Sequence, residues 1–139
     1  WTPKPLNDVF DFFSDVKNLE VLTPPLLNFK VVGKSTENIQ EGTKIDYKLK
    51  IRGVPAKWTS LITNWQPMTQ FADVQLKGPY AKWNHLHLFR SLAGGVLLED
   101  KVVYRLPFSR FGGNFLHWFI RKDVKTIFSY RKKRIKEWC

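Results

Sequence analysis

The chain has 139 residues, with 23 Lys and Arg against 12 Asp and Glu, a formal net charge of +11 and a pI near 9.9. Aromatic residues make up 15% of it, an apolar payload that excludes a disordered polyelectrolyte and suits one domain over residues 1–139 with its own core. A lone cysteine, Cys139, excludes an intrachain disulfide, and no run reaches the ~20 apolar residues of a membrane span, so a reducing, cytoplasmic setting is the default expectation.

Trp1-Thr2 reads as the tail of a strand. Pro3 and Pro5 suit the first turn of a helix, where a missing N–H costs nothing. Leu6, Val9, Phe10 and Phe13 then follow the spacing of a buried helical stripe. Ser14 or Asp15 is placed to cap a second short helix carrying Val16, Leu19 and Leu22. Thr23-Pro24-Pro25 stops it, because the residue before a proline is driven out of the helical region.

About eighty residues of strand pattern follow. A short β-rich piece spans 29–34, and Glu41-Gly42 makes a turn. Residues 44–51 put Ile45, Tyr47, Leu49 and Ile51 on one face. A loop at 52–55 leads to 57–65, with Trp58, Ser60 and Ile62 on one face. A loop at 66–69 leads to two strands within 71–89, hinged about Lys77-Gly78-Pro79-Tyr80. Ala93-Gly94 is a tight turn into 96–106. Connections this short imply an antiparallel meander. After a break at 107–113 the period becomes helical. Leu116, Phe119, Ile120, Val124, Ile127, Phe128, Ile135 and Trp138 form one apolar stripe, with Lys and Arg over much of the remainder. The expected fold class is therefore α+β: two short helices, a six-strand antiparallel sheet, and one long C-terminal helix whose apolar face covers the sheet.

Taken together, Leu22-Thr23-Pro24-Pro25, Gly42-Thr43 with Ile45-Asp46-Tyr47, Trp58 with Ser60, Gly78-Pro79-Tyr80, Trp83 with His85 and His87, and Ile127-Phe128 with Tyr130-Arg131 resemble the SRPBCC superfamily. That group includes START lipid-transfer domains, the birch-pollen allergen family and polyketide cyclase/dehydrase-like proteins. The nearest branch is a bacterial set of ligand-binding or cyclase/dehydrase-like domains, and the resemblance runs from about Val9 to Ile135. It implies a helix-grip fold, a curved sheet wrapped around the last helix, with an internal hydrophobic cavity. In that family a strand precedes the first helix. Here only Trp1-Thr2 stands in its place, so an upstream segment or a partner chain is expected over that sheet edge.

Strand pairing follows from loop lengths. A two-residue turn at Ala93-Gly94 puts His87 opposite Asp100, His85 opposite Val102 and Trp83 opposite Tyr104. The 66–69 loop pairs Trp65 with Gln70, Ser60 with Gln75 and Ile62 with Asp73. The 52–55 loop pairs Tyr47 with Ser60 and Leu49 with Trp58. An odd-length connection about Gly78-Pro79 puts Asp73 opposite His85. One face then holds Tyr47, Trp58, Ser60, Asp73, Gln75, Trp83, His85, His87, Asp100 and Tyr104, the expected ligand-binding residues.

Among these, Asp73, His85, His87 and Asp100 can simply satisfy one another as buried polar groups. They can also orient a ligand, or act as an Asp-oriented general acid–base pair. His-x-His with a carboxylate has the donor count of a zinc or iron site, yet an Asp already holding each imidazole is as consistent with no metal, and none is expected. No cofactor motif, Ser-His-Asp arrangement or phosphate-binding glycine loop is present. His117 is expected at the surface. Arg52, Lys57, Lys77, Lys82 and Arg110 are expected around a cavity mouth that favours an acidic or carbonyl head at its rim, with Leu26, Leu27, Val54 and Phe108 as its dry edge. The reading adopted is a non-enzymatic domain that binds a small lipophilic or amphiphilic molecule. The alternatives are a cyclase, dehydratase or isomerase using His85 or His87 with Asp73 or Asp100, and a basic nucleic-acid or membrane-surface module. No RNP-like or helix-turn-helix signal supports specific nucleic-acid reading.

Overall fold

The computed structural model describes residues 1–51, 53–105 and 113–138, with 113–120 described by backbone alone. The fold is α+β. Helices α1 (Leu6–Ser14) and α2 (Lys17–Leu22) and a 3-10 turn at Pro25–Leu27 precede six strands. These are β1 (Lys30–Lys34), β2 (Lys44–Ile51), β3 (Val54–Gln66), β4 (Gln70–Lys77), β5 (Lys82–Leu92) and β6 (Gly95–Arg105), and helix α3 (Gly113–Trp138) follows them. The sheet is antiparallel in the order β1-β2-β3-β4-β5-β6, a simple meander.

Helix α1 forms because Val9, Phe10 and Phe13 share one buried face. Pro5 lies just outside the first turn, in extended backbone, and its carbonyl accepts the amide of Val9 at 3.1 Å. At the head of α2 the capping group is Asp15, whose Oδ1 accepts the amide of Lys17 at 3.0 Å; Ser14 instead donates back to the Phe10 carbonyl. Thr2 exchanges two backbone hydrogen bonds with Val96, so Trp1-Thr2 adds a one-residue bridge to the outer edge of β6.

The β5–β6 register agrees with the count from its turn. Leu92 faces Gly95, His87 faces Asp100 and Trp83 faces Tyr104. Ala93 and Gly94 both have positive φ, 50° and 75°, the backbone of a type I′ turn, whose twist suits a two-residue hairpin. Asp73 faces His85, as the odd-length connection about Gly78-Pro79 requires. Two pairings differ from expectation. The β2–β3 connection is two residues, not four, so Tyr47 faces Trp58 and Ile45 faces Ser60. Val54 and Pro55 enter the strand. Pro55 is tolerated because β4 begins to pair with β3 only at Thr59, leaving its other side free. The shift is by two residues, so every side chain keeps its face. In the second case Gln66, not Trp65, faces Gln70, because β3 bulges between Thr63 and Gln66. Asn64 takes up the extra residue at φ 54°. The bulge changes parity and turns Trp65 inward alongside Ile62.

That inward Trp65 completes an aromatic plug at one end of the sheet. Phe10 meets Trp65, Phe71 and Phe89 with ring centroids 5.4, 6.1 and 5.2 Å away. Helix α3 anchors against the same end, where Trp138 stacks on Phe12 at 4.2 Å. Further along, α3 does not lie flat on the sheet as its stripe suggested. Among the described residues it reaches the sheet through long side chains, Phe128 toward Trp83 and His85 and Arg131 toward Asp100, and a cavity remains between. The stripe residues Leu116, Phe119 and Ile120, and His117, lie outside the described side chains.

The plug and the cavity wall should therefore differ in their response to truncation. Phe10→Ala should cost about 3–5 kcal/mol, the range for a large aromatic lost from a packed core. Phe128→Ala should cost clearly less, because that ring is half-buried and faces space. Urea midpoints of the two variants decide it, and equal losses would show that α3 packs tightly after all.

Candidate functional site

The cavity has a volume of about 350 Å³. Its walls are apolar and come from α2, the 3-10 turn, the concave sheet face and α3. Leu27, Ile51, Pro79 and Trp83 stand toward the sheet end that carries the 78–81 connection, and Ile127 and Phe128 of α3 complete the wall. The floor is polar: Tyr47, Ser60, Asp73, His85, His87 and Arg131.

Period-two alternation sets His85 and His87 on the same face of β5, and their rings lie 3.7 Å apart. Each is held by a carboxylate from a neighbouring strand. His85 Nε2 is 2.9 Å from Asp100 Oδ1, and His87 Nε2 is 2.8 Å from Asp73 Oδ2. Arg131 reaches down from α3, its Nε donating to Asp100 Oδ2 at 2.9 Å and its Nη2 lying 3.4 Å from both Asp100 Oδ1 and His87 Nδ1. Both histidines and the arginine are buried, while Asp73 and Asp100 keep 19% and 28% of their side-chain surface.

Two carboxylates and one guanidinium leave one negative charge over. A single proton on the histidine pair balances it. Burial disfavours a charged His87, but its bonds to Asp100 and Asp73 outweigh that and raise its pKa. His87 Nδ1, 3.4 Å from Asp100 Oδ1, then donates there. Phe71 stacks on the same ring at 4.3 Å, a face that suits a cation. His85 goes the other way. Burial and the charge of His87 beside it lower its pKa despite the bond to Asp100. The pair thus holds one proton between two rings and titrates as a unit. Burial would raise both carboxyls. The His87 bond and the charges of the histidines and Arg131 pull Asp73 down, and the Arg131 charge with the two histidine bonds holds Asp100 far below the carboxylate range.

A second polar group sits beside the first. Trp58 Nε1 donates to Ser60 Oγ at 3.0 Å, and burial followed by the charge of Asp73 raises the Tyr47 phenol. Burial, with the charges of Asp123 and Tyr104 behind it, pushes Tyr80 up to about 12.

Of the ten residues expected on this face, Tyr47, Trp58, Ser60, Asp73, Trp83, His85 and His87 line the cavity. Gln75, Asp100 and Tyr104 do not. Gln75 instead holds the hairpin, donating to the Tyr80 carbonyl at 2.6 Å and accepting its amide at 3.1 Å. Asp100 lies behind His85, and Tyr104 packs against Tyr80 and Trp83. Arg131 was missed as a site residue. The signal was present in the sequence, since Arg131 continues the Val124, Ile127, Phe128 stripe at helical spacing, a charge where an apolar residue belongs. Of the basic residues expected at the mouth, Arg52 and Arg110 lie outside the described residues, as does Phe108.

Asp73, His85 and His87 also bring ligating atoms within 4.8 Å of one another. A divalent ion held by Asp73 and His87 Nε2 would have to displace the bond between them and sit near the Arg131 guanidinium. The donor set is better matched to the proton it already accommodates.

The family described as polyketide cyclase / dehydrase and lipid transport matches residues 2–128. No curated protein sequence matches the chain significantly. Among solved structures, TTHA0849 from Thermus thermophilus is similar with a TM-score of 0.69 at 15% identity, over 97% of this chain and 92% of that one. A START superfamily protein from Mycobacterium smegmatis gives 0.63 at 10% identity, over 96% and 91%. The di-domain ARO/CYC StfQ from the steffimycin biosynthetic pathway gives 0.70 at 11% identity, over 96% of this chain and 46% of that one. At these identities the likeness is one of fold.

The charge cluster dictates how stability depends on pH. His87, with its pKa raised, stabilises the fold below its ordinary value of 6.5, and that contribution is lost as pH rises through the folded value. His85, lowered, contributes above 6.5 and loses it as pH falls; Asp73 and Asp100 do the same below 3.8. The urea midpoint should therefore fall on the mildly alkaline side as well as in acid. His87→Gln should remove the alkaline fall and leave the acid one. A wild-type midpoint that stays flat above pH 6.5 would show that His87 is not held protonated.

Proposed function

The chain belongs to the polyketide cyclase / dehydrase and lipid transport family, and from that premise we propose that it binds a small lipophilic molecule carrying one polar group in the cavity between sheet and α3. The observation that carries this reading is the division of the cavity into apolar walls and a charge-balanced polar floor. A volume of about 350 Å³ is at the small end for such sites and suits a compact molecule or part of a longer chain. Leu27, Ile51, Trp83, Ile127 and Phe128 take the apolar body. The polar group goes to the floor, where Arg131 commits Nε and Nη2 to Asp100 while Nη1 meets no acceptor among the described residues. This differs from the rim-bound head expected from the sequence, because the buried guanidinium stands at the floor.

The floor's donors favour an acceptor such as a carbonyl. A matched ketone, alcohol and hydrocarbon of equal chain length can be set to displace a neutral solvatochromic dye. The ketone should outcompete the hydrocarbon by about tenfold or more, since a hydrogen bond to a charged group contributes about 1.5–3 kcal/mol. Arg131→Met should remove most of that margin and leave hydrocarbon binding unchanged. Equal displacement by all three compounds in the wild type would contradict the reading.

One observation favours a second reading. His85 donates Nε2–H to Asp100, which leaves Nδ1 as a lone-pair acceptor 3.7 Å from Asp73 Oδ2, in a ring that lines the cavity. That is the arrangement of a general base able to take a proton next to a carbonyl, with Arg131 near the developing enolate oxygen. In heavy water the wild type should then exchange deuterium into the carbon beside the carbonyl of a bound ketone, and His85→Gln should not. Exchange no faster than in buffer would confine the site to binding.

A further inference from the structure

The outer face of the sheet carries a charge pattern that the fold does not require. Lys30 faces Lys48 across β1 and β2, and Lys48 faces Lys57 across β2 and β3, so three lysines stand side by side. Across the sheet Lys82 faces Arg105. All five are exposed and make no ion pair among the described residues. Like charges directly opposite one another destabilise a sheet. Asp46, two residues from Lys48 on β2, accepts from Thr59 Oγ1 at 2.7 Å rather than pairing with a lysine.

Between the two basic rows the outer face carries half-buried Leu61, Val74 and Leu86, with Thr59 and Asn84 among them. At one end apolar residues emerge: Leu76, 46% exposed, and Val103, 62%, on the outer face, and Val54, 65%, opposite Ile51 on the rim of the cavity face. In a meander the start of β3, the end of β4 and the end of β6 lie at the same end. It is the end where Leu27, Ile51 and Pro79 line the cavity. Leu26, on the 3-10 turn beside them, is 83% exposed.

We propose that this end and outer face of the sheet dock onto an anionic lipid bilayer. The lysine rows take the headgroup charge, and Leu26, Val54, Leu76 and Val103 enter the interfacial zone. A bilayer is favoured over a nucleic acid because, among the described residues, none of the six strands presents an aromatic ring on its outer face; the exposed ring of Trp1 lies at the opposite end, against Leu92 and Gly95. Sequence-tolerant binding of single strands depends on stacking. Lysine beside aliphatic side chains is instead what an interface of anionic headgroups and acyl chains accommodates. Docking itself does not depend on the ligand reading. It would, if that reading holds, bring the cavity mouth against the lipid, so that a lipophile passes between bilayer and cavity without crossing water.

The test is co-sedimentation of the purified protein with vesicles of phosphatidylcholine alone, or with about a third phosphatidylglycerol, at two salt concentrations. The wild type should pellet with the anionic vesicles, less so at high salt, and stay in solution with the neutral ones. Lys48→Glu with Lys57→Glu should weaken binding by at least about tenfold, since each basic residue near the surface contributes about fivefold. Lys132→Glu with Lys133→Glu, exposed on α3, makes the same change in net charge and should matter far less. Val54→Ser with Val103→Ser should weaken binding with no change in charge. Folding is checked by thermal melts, and Lys48→Glu should melt no lower than wild type because it turns two like-charge oppositions into attractions. Equal losses in the two charge-reversal pairs would mean attraction by net charge alone and would overturn the proposal. So would tighter binding to single-stranded RNA than to anionic vesicles. Dye uptake into the cavity, measured without vesicles, reports separately on the ligand reading.

Discussion

A buried guanidinium at the bottom of an apolar cavity sets the terms for much of this molecule. Arg131 is 6% exposed and cannot stay charged there without compensation. Asp100 supplies one carboxylate directly, and His87, bonded to both acids, links it to a second at Asp73. The cluster draws on four elements: α3, β4, β5 and β6. It is therefore a tie across the cavity as well as a site. It bridges α3 and the sheet at side-chain distance, beside the space that a ligand needs.

The tie also explains why the aromatic residues divide as they do. Phe10, Phe13, Trp65, Phe71 and Phe89 gather at one end, where α1 closes the sheet. Trp58, Tyr80, Trp83 and Phe128 stand on the other side of the cluster, where they meet ring against ring and line the cavity. One set is core and the other is lining, and the charge cluster is the boundary. Phe71 belongs to both, packing on Phe10 and stacking on His87.

Much of this was legible from residue order. Period-two alternation and short turns placed His85, His87, Asp73 and Asp100 together, because a two-residue shift at 52–53 leaves parity intact and the β5–β6 turn permits one register. The bulge at Asn64 was not legible, since nothing in the Thr63 to Gln66 sequence demands it; it follows from the gain in turning Trp65 toward Phe10. Arg131 was legible but discounted among the many basic residues of α3. The outer lysine row was hidden for a different reason. Lys48 and Lys57 are ordinary surface residues singly, and only pairing across strands sets them side by side.

Ligand binding in this cavity depends on Arg131 receiving the polar group of a lipophile. Native mass spectrometry of freshly purified protein, wild type beside Arg131→Met, followed by extraction and identification of whatever is bound, tests it most directly. The account predicts an oxygen-bearing lipophile on the wild type that is lost or strongly depleted in the variant while the variant remains folded. The same adduct at the same occupancy on both proteins, or a wild-type ligand with no polar atom, would contradict it.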